Sequence, residues 1–261
     1  MARNPTGCYR ELGEELRRRR ETARLTGAEL ARRLGWSGSK VCRVERGQVQ
    51  LTEPDMLHYL GSCGVYLKDA HGLLALRRRA NLDLGYWLTP HGQWLPDSLD
   101  ELIYHEAAAD ACVTYEPNLV HGLLQTPEYA HARIAAEHWR SPEDVERCVR
   151  IRMQRQWILH APRPAQLTFF MHEHALRLLV GGPAVMHEQL LQLAILAALE
   201  HVTVRVVPAQ SAFGGPFALF EYAEYQPLVC LDNHATVLFL EDRRYIEPYR
   251  GLVSTLGEVA M

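Results

Sequence analysis

At 261 residues the chain is too long for one small helical domain and suits a unit of about 75 residues followed by a larger one. Apolar content of 48% and charged content of 23% exclude a disordered or fibrous chain, and no apolar run approaches the roughly 18 residues that a membrane span needs. The net charge of −3 is divided unevenly: residues 1–50 carry twelve Lys or Arg against six Asp or Glu (+6), and the rest carry 16 against 25 (−9). The six cysteines, Cys8, Cys42, Cys63, Cys112, Cys148 and Cys230, show no CxxC spacing. With an N-terminus, MARNPTGCYREL, that lacks an apolar leader, they imply reduced thiols in a cytoplasmic protein with no membrane partner.

Tyr9 to about Arg24 reads as the first helix, with Leu12 and Leu16 turned inward. Thr26 stands three residues before Glu29, the spacing of a capping box, so a second helix starts there; Leu30 and Leu34 share its face and Gly35 ends it. Ser37 caps a third helix in which Val41 and Val44 point inward. That leaves Gly38, Ser39, Lys40 and Arg43 on a face able to enter a major groove. The basic charge sits where this helix pair sits, and the local field at a docking face is what phosphates feel. The alternative is a helix pair that binds another protein, with the Arg17–Arg20 run a solvated face.

Leu25 to Gln48, with the helices on either side, resembles the helix-turn-helix of the Cro/C1 repressor type, the xenobiotic-response-element family. The residues that carry the likeness are LTGAELARRLG and WSGSKVCRVERGQ. The resemblance implies a core pair between Arg20 and Glu45, and base or phosphate contacts from Gly27, Ser37, Gly38, Ser39, Lys40 and Arg43. Family members often carry Gln where this chain has Gly27 and Gly38, so an altered readout is implied. Arg43 retains the two donors that read a guanine, and Lys40 suits a phosphate.

Thr52 to Cys63 predicts a fourth helix carrying Met56, Leu57 and Leu60, closed by Gly64. Val65 to Ala80 predicts a fifth, with Leu67, Leu73, Leu74 and Leu76 apolar and Arg77, Arg78 and Arg79 at its C-terminus. Those arginines either extend a DNA footprint or stabilise the helix dipole. Residues 1–80 are therefore taken as the DNA-binding domain, 81–98 as a packed linker rich in Gly, Pro and Trp, and 99–261 as a mixed α+β regulatory domain.

In that second half, Leu99 to about Tyr115 is a helix or a helix leading into a strand, and Thr126–Trp139 and Pro142–His160 are helices. Gln166–Met171 is a strand, followed by helices over Glu173–Val180 and Pro183–Glu200. Val202–Val207, Phe217–Tyr222 and Leu228–Leu231 are strands, Val237–Leu240 an edge strand, and Tyr245–Val259 a closing helix. Gly214-Gly215-Pro216 lacks the Lys-Ser/Thr of a phosphate loop and reads as a hairpin or bulge turn.

YEPNLVHGLLQTPEYA from Tyr115 to Ala130, the R-x-x-R-Q of Arg152–Gln156, Glu173 with Ala175-Leu176-Arg177, Gly181-Gly182-Pro183, and VTVRVVP running to GGPFALFE stand in one order. Together they resemble the DUF5753, or Scr1 antitoxin-like, domain of Streptomyces-type regulators. His121 stands where that family usually has Pro, and His172 and His174 also depart from it. The resemblance implies an antitoxin-like or developmental repressor encoded beside a small partner protein.

Of the thirteen histidines, His172 and His174 flank Glu173 most densely. In a strand both would project to one face and ligate one metal; at a strand-to-helix junction that alignment fails. With no H-E-x-x-H and no third ligand fixed by spacing, neither metal nor cofactor is expected. Glu173, His174 and Cys230 are the available catalytic groups, and spacing does not join them. A small-molecule pocket is read at His121, His172, Glu173, His174, Phe217 and Tyr222.

The expectation is a sequence-specific transcriptional regulator, a homodimer on a two-fold double-stranded DNA operator. Its C-terminal domain would bind a small partner protein or a small-molecule effector. Two alternatives stand beside it: a biosynthetic enzyme built on the regulator scaffold, and an antitoxin-like protein-binding module.

Overall fold

Hydroxyl side chains set the starts of the first four helices. In the computed structural model, which describes residues 6–82, 84–90, 97–138, 140–211, 213–233 and 236–261, these are α1 (Gly7–Thr22), α2 (Gly27–Leu34), α3 (Gly38–Glu45) and α4 (Glu53–Ser62). Thr6, Thr26, Ser37 and Thr52 accept hydrogen bonds from the backbone N–H groups of Tyr9, Glu29, Lys40 and Asp55, and Glu29 returns a carboxylate to the Thr26 N–H at 2.8 Å. Gly35, at φ 65°, gives α2 the left-handed exit that a side chain would resist.

These helices enclose Leu12, Leu16, Leu30, Leu34, Val41, Val44, Met56, Tyr59 and Leu60, all buried. Helix α1 crosses the end of α3 at backbone contact: a Cβ on Gly13 would lie 2.5 Å from the Glu45 carbonyl oxygen. The expected fifth helix begins later than Val65. Gly64 turns the chain at φ 78°, Tyr66 stays extended, and a short 3-10 turn at Leu67–Asp69 precedes α5 (His71–Leu82). Leu67 is consequently 63% exposed rather than in the core, while Leu73, Leu74 and Leu76 are buried.

The stretch 81–98, expected as a linker, holds a strand, β1 (Tyr86–Pro90). Its aromatic and β-branched run Tyr86-Trp87-Leu88-Thr89 outweighs the flanking Gly85 and Pro90. Trp87 is buried and packs against Gly7 of α1. Residues 91–96 of that stretch, and Trp139, lie outside the described residues. By internal contacts the chain divides into two compact units, Met1–Trp87 and Leu88–Met261.

The second unit continues with α6 (Asp97–Ala108), β2 (Ala111–Glu116), α7 (Pro127–Ala135), α8 (Pro142–Arg155), β3 (Gln166–His172), α9 (Glu173–Arg177) and α10 (Pro183–Leu196). It ends with β4 (Val202–Val207), β5 (Phe217–Glu221), β6 (Leu228–Asp232), β7 (Thr236–Leu240) and α11 (Arg243–Val259). The strands form a mixed seven-stranded sheet in the order β1-β7-β6-β5-β2-β3-β4. Strands β2, β3 and β4 run parallel, each pair joined by a helical crossover, and β5, β6 and β7 return as an antiparallel meander. The fold is α-helical, then α+β, as expected.

Two expectations for this unit are corrected. Strand β7 is interior, because β1 pairs outside it. Gly214-Gly215-Pro216 closes no hairpin: β4 and β5 have β3 and β2 between them, so the loop crosses the sheet end. Neighbours in sequence are usually neighbours in a sheet, and the parallel β2-β3-β4 insertion breaks that habit here.

Strand alternation divides the interior in two. Tyr115, Phe170, Val207, Phe217, Leu219, Val229 and Leu240 pack with Ile246, Leu256 and Ala260 at the α11 side. On the other face a row of paired residues runs Phe239–Cys230–Ala218–Thr114–Phe169–Val204 across five strand pairings. This row meets His105 of α6, whose ring lies 5.4 Å from that of Phe239, and His121, whose ring lies 5.1 Å from that of Phe169.

Candidate nucleic-acid interface and interior polar cluster

Helix α3 is held by its inner side and open on its outer one. Val41 and Val44 are buried, while Ser37, Gly38, Ser39 and Arg43 are exposed. The Arg43 side chain makes no hydrogen bond or ion pair among the described residues, so its five donors remain available. The Arg46 side chain is likewise exposed and without a hydrogen bond or ion pair among the described residues, and it extends the same face by the helical spacing of three from Arg43. The sequence signal for Arg46 is that spacing alone. Lys40 is less free than its neighbours: its Nζ lies 3.7 Å from the centre of the Trp36 ring and 3.8 Å from Asp55 Oδ2. A phosphate contact by Lys40 has to compete with both. The Ser37 hydroxyl accepts from the Lys40 N–H, which leaves its own proton to donate. At Gly27 and Gly38, the first residues of α2 and α3, a Cβ would meet no atom within 4 Å. Bare backbone is thus presented at both helix starts.

Behind this face, Arg20 and Glu45 form the expected pair, through Nε at 2.7 Å and Nη2 at 2.8 Å. Tyr59 donates to the same carboxylate at 2.6 Å, and Arg20 also reaches the Leu25 carbonyl at 2.9 Å. The hydrogen bonds to Glu45 hold the Arg20 pKa above its ordinary value, and burial first, then the bond to Glu45, raises that of Tyr59. Three helices are tied at one point, and α3 is thereby oriented. Arg17, Arg18 and Arg19 instead pair along α1 with Glu21 and Glu15, a solvated face. Arg77 donates to the Leu51 carbonyl at 2.7 Å and, with Arg78, faces Glu53 at 3.6 Å, which binds α5 to the start of α4.

The pocket read at His121, His172, Glu173, His174, Phe217 and Tyr222 does not assemble. Phe217 belongs to the α11 face, whereas His121 packs against Phe169 on the opposite one. His172 ends β3 and caps α9, accepting from the His174 N–H at 3.1 Å, with its Nε2 3.1 Å from the Ser211 carbonyl. Glu173 binds Arg177 and the Ala209 N–H, and His174 is exposed. Tyr222 lies 3.3 Å from His105 Nδ1. Strand alternation and the strand-to-helix turn send these side chains to different places. No group of three or more His, Cys, Asp or Glu suited to a metal occurs among the described residues.

What the fold does gather is a polar cluster around Gly122. Gln125 accepts from Arg152 Nη1 at 2.8 Å and donates to the Val120 carbonyl at 2.7 Å, and Gln156 holds the Gln125 carbonyl at 2.7 Å. The Tyr129 hydroxyl takes the Val120 N–H, and Gln189 bridges Thr126 and Leu124. Arg155 forms a buried two-pronged pair with Glu106 at 2.6 and 2.7 Å. Arg152 and Arg155 both reach within 3.9 Å of the point where a Gly122 Cβ would stand. Burial, then Arg155 and Arg152, pushes the His121 imidazole well below its ordinary pKa, so it is held neutral. Burial, then Arg155, brings Arg152 down to about 10, and burial, then Asp232, brings Glu116 up to about 7. The sequence signal for this cluster is R-x-x-R-Q at Arg152–Gln156 together with the 120–126 loop.

A capped helix pair with an open cationic face, followed by a mixed sheet with its own polar interior, defines a DNA-binding regulator of helix-turn-helix type with an appended α+β domain. The family model described as a helix-turn-helix domain matches residues 11–65. That described as a domain of unknown function, DUF5753, matches residues 99–261, and the chain belongs to this family. Among solved structures, it is similar to the clp gene regulator ClgR from C. glutamicum at 23% identity, covering 30% of this chain and 95% of that one with a TM-score of 0.25. It is also similar to TrmBL2, an archaeal chromatin protein, at 11% identity, covering 91% and 87% with a TM-score of 0.36. At such scores neither likeness decides fold or function. No curated protein matches the chain.

Proposed function

We propose that the chain is a sequence-specific transcriptional regulator that docks α3 in the major groove of a two-fold operator as a homodimer, and that its second unit binds the effector that controls it. The observation that carries this reading is the exposed, unbonded Arg43 on a helix oriented by the Arg20–Glu45–Tyr59 knot. Arg43 and Ser39 are its base-reading residues, and Arg46, Ser37 and the Gly27 and Gly38 backbone its phosphate contacts. The test is a fluorescence-anisotropy titration of the full chain against DNA from its own promoter and against scrambled DNA of equal length, at two salt concentrations. Preference for the promoter by about a thousandfold, with salt-sensitive affinity, is expected. Equal, weak binding to both overturns the reading.

A protein partner on the second unit is a second reading, and α10 favours it. Met186, Gln189, Leu193 and Leu196 are buried on one side of this helix, yet Leu190, Leu191 and Ile195 remain 43%, 48% and 65% exposed on the other. Helices apolar on both sides are normally covered on both.

A further inference from the structure

We propose that the outer side of α10 is an interface between two copies of this chain, which meet antiparallel about a two-fold axis lying between His187 and Glu188. This rests on the homodimer reading above and names the surface that joins the pair.

Apolar exposure in the second unit is concentrated here. Of its ten large apolar residues that are exposed among the described ones, five fall between positions 178 and 195: Leu178, Leu179, Leu190, Leu191 and Ile195. The helix has no freedom to turn its share of them inward. Gln189 fixes its inner side, accepting from the Thr126 N–H and donating to the Leu124 carbonyl, both at 2.8 Å, and Met186, Leu193 and Leu196 are buried beside it. Cover for the outer side has to come from another molecule.

The pattern on that side selects a second copy. At the helical turn of about 100° per residue, Ala184, Leu191 and Ile195 stand within about 40° of one another, flanked by His187 and Glu188. These two are the only ionisable groups of α10; both are exposed, and neither side chain forms a hydrogen bond or ion pair among the described residues. A two-fold rotation between them brings His187 to the partner's Glu188, and Glu188 to the partner's His187. The same rotation sets Leu191 over the partner's Ala184 and Ile195 beside the partner's Leu179. Bulk on one side of the axis thus meets a small residue from the other side. An unrelated partner would need every one of these features, whereas a second copy supplies them by symmetry.

The neighbouring sheet edge offers no competing contact. On the outer side of β4, Val206 already exchanges both backbone hydrogen bonds with Met261, each at 2.9 Å, and the Val202 N–H is held by the Leu199 carbonyl at 3.0 Å. Copies therefore meet by helix and not by strand addition. The fourteen residues of α10 span about 21 Å. That is a small contact beside the roughly 800 Å² per partner of a standard interface, so dissociation in the micromolar range is expected.

The test is sedimentation equilibrium of the full chain without DNA, from about 1 to 100 μM, a range set by that expectation. The wild type should pass from one copy to two, and Leu191→Glu, at an exposed position and with folding verified by circular dichroism, should stay monomeric throughout. Glu188→Arg should weaken association fivefold or more, and adding His187→Glu should restore it to within threefold of the wild type, because the reversed pair faces itself again across the axis. A chain that is monomeric throughout overturns the interface, as does a dimer that survives Leu191→Glu. A double variant no tighter than Glu188→Arg alone overturns the antiparallel register. Because mass is read without DNA, the two readings fail separately: a dimer that survives Leu191→Glu keeps the two-fold operator and places the contact elsewhere. A chain that dimerises through α10 and ignores its promoter keeps the interface and loses the regulatory role.

Discussion

Arg43 and Glu116 each make a measurable difference by themselves. Replacing Arg43 with Ala should lower promoter affinity by about 1–3 kcal/mol if it reads a base, with little loss on scrambled DNA. An equal loss on both DNAs, with a shallower salt dependence, would move it to the phosphate contacts. Glu116 makes a prediction about pH. Burial and Asp232 raise its folded-state pKa to about 7, from 4.5 for a free side chain, so the folded chain holds this proton more tightly than the unfolded one. Stability contributed at Glu116 is therefore present below about pH 4.5 and falls as pH rises to about 7, by up to about 3 kcal/mol. The charged groups around it are Asp232, Arg152 and Arg155. Glu116→Gln mimics the protonated form. The wild-type chain should lose stability to this variant between pH 4.5 and 7 in urea unfolding, and parallel curves would show that Glu116 is solvated.

At the scale of elements, the helices were legible wherever a cap or a glycine marked an end. Thr26 with Glu29, Gly35 and Ser37 delimit the helix-turn-helix to the residue, because their hydrogen bonds are local. What was illegible is non-local: nothing near β7 announces that β1 pairs outside it, and only the assembled sheet shows that Phe217 and His121 lie on opposite faces. Glycines divide in the same way. Gly13→Ala should destabilise the first unit by about 1–3 kcal/mol, since the added methyl meets the Glu45 carbonyl in the α1–α3 crossing. Gly38→Ala, in open space at a helix start, should be neutral or stabilise by up to about 1 kcal/mol. Thermal unfolding of both variants tests the crossing, and equal melting temperatures would remove it from the core. Helix α10 raises the matching question for the second unit. If a second copy of the chain covers Leu190, Leu191 and Ile195, then Leu191→Glu should convert a dimer to a monomer in light scattering, and an unchanged mass would free that face for another protein.

For the whole molecule, charge is divided unevenly: residues 1–50 carry +6, the sign that a polyanion attracts, and the rest carry −9. One α3 of eight residues extends only about 12 Å and brings three or four side chains to base edges, so a single copy has too small a contact for strong discrimination. Two copies related by a two-fold axis solve this only if both α3 helices meet major grooves on the same side of the duplex. That requirement is geometric and falls on the DNA as much as on the protein. Half-sites should stand about 10 base pairs apart centre to centre, or a multiple of that. Inserting five base pairs between them turns one half-site to the far side, and affinity in the anisotropy titration should drop at least tenfold, towards that of a single half-site. Should the insertion leave affinity unchanged, each copy binds alone. The dimer would then lose its part in recognition, and the full burden of specificity would return to Arg43 and its few neighbours.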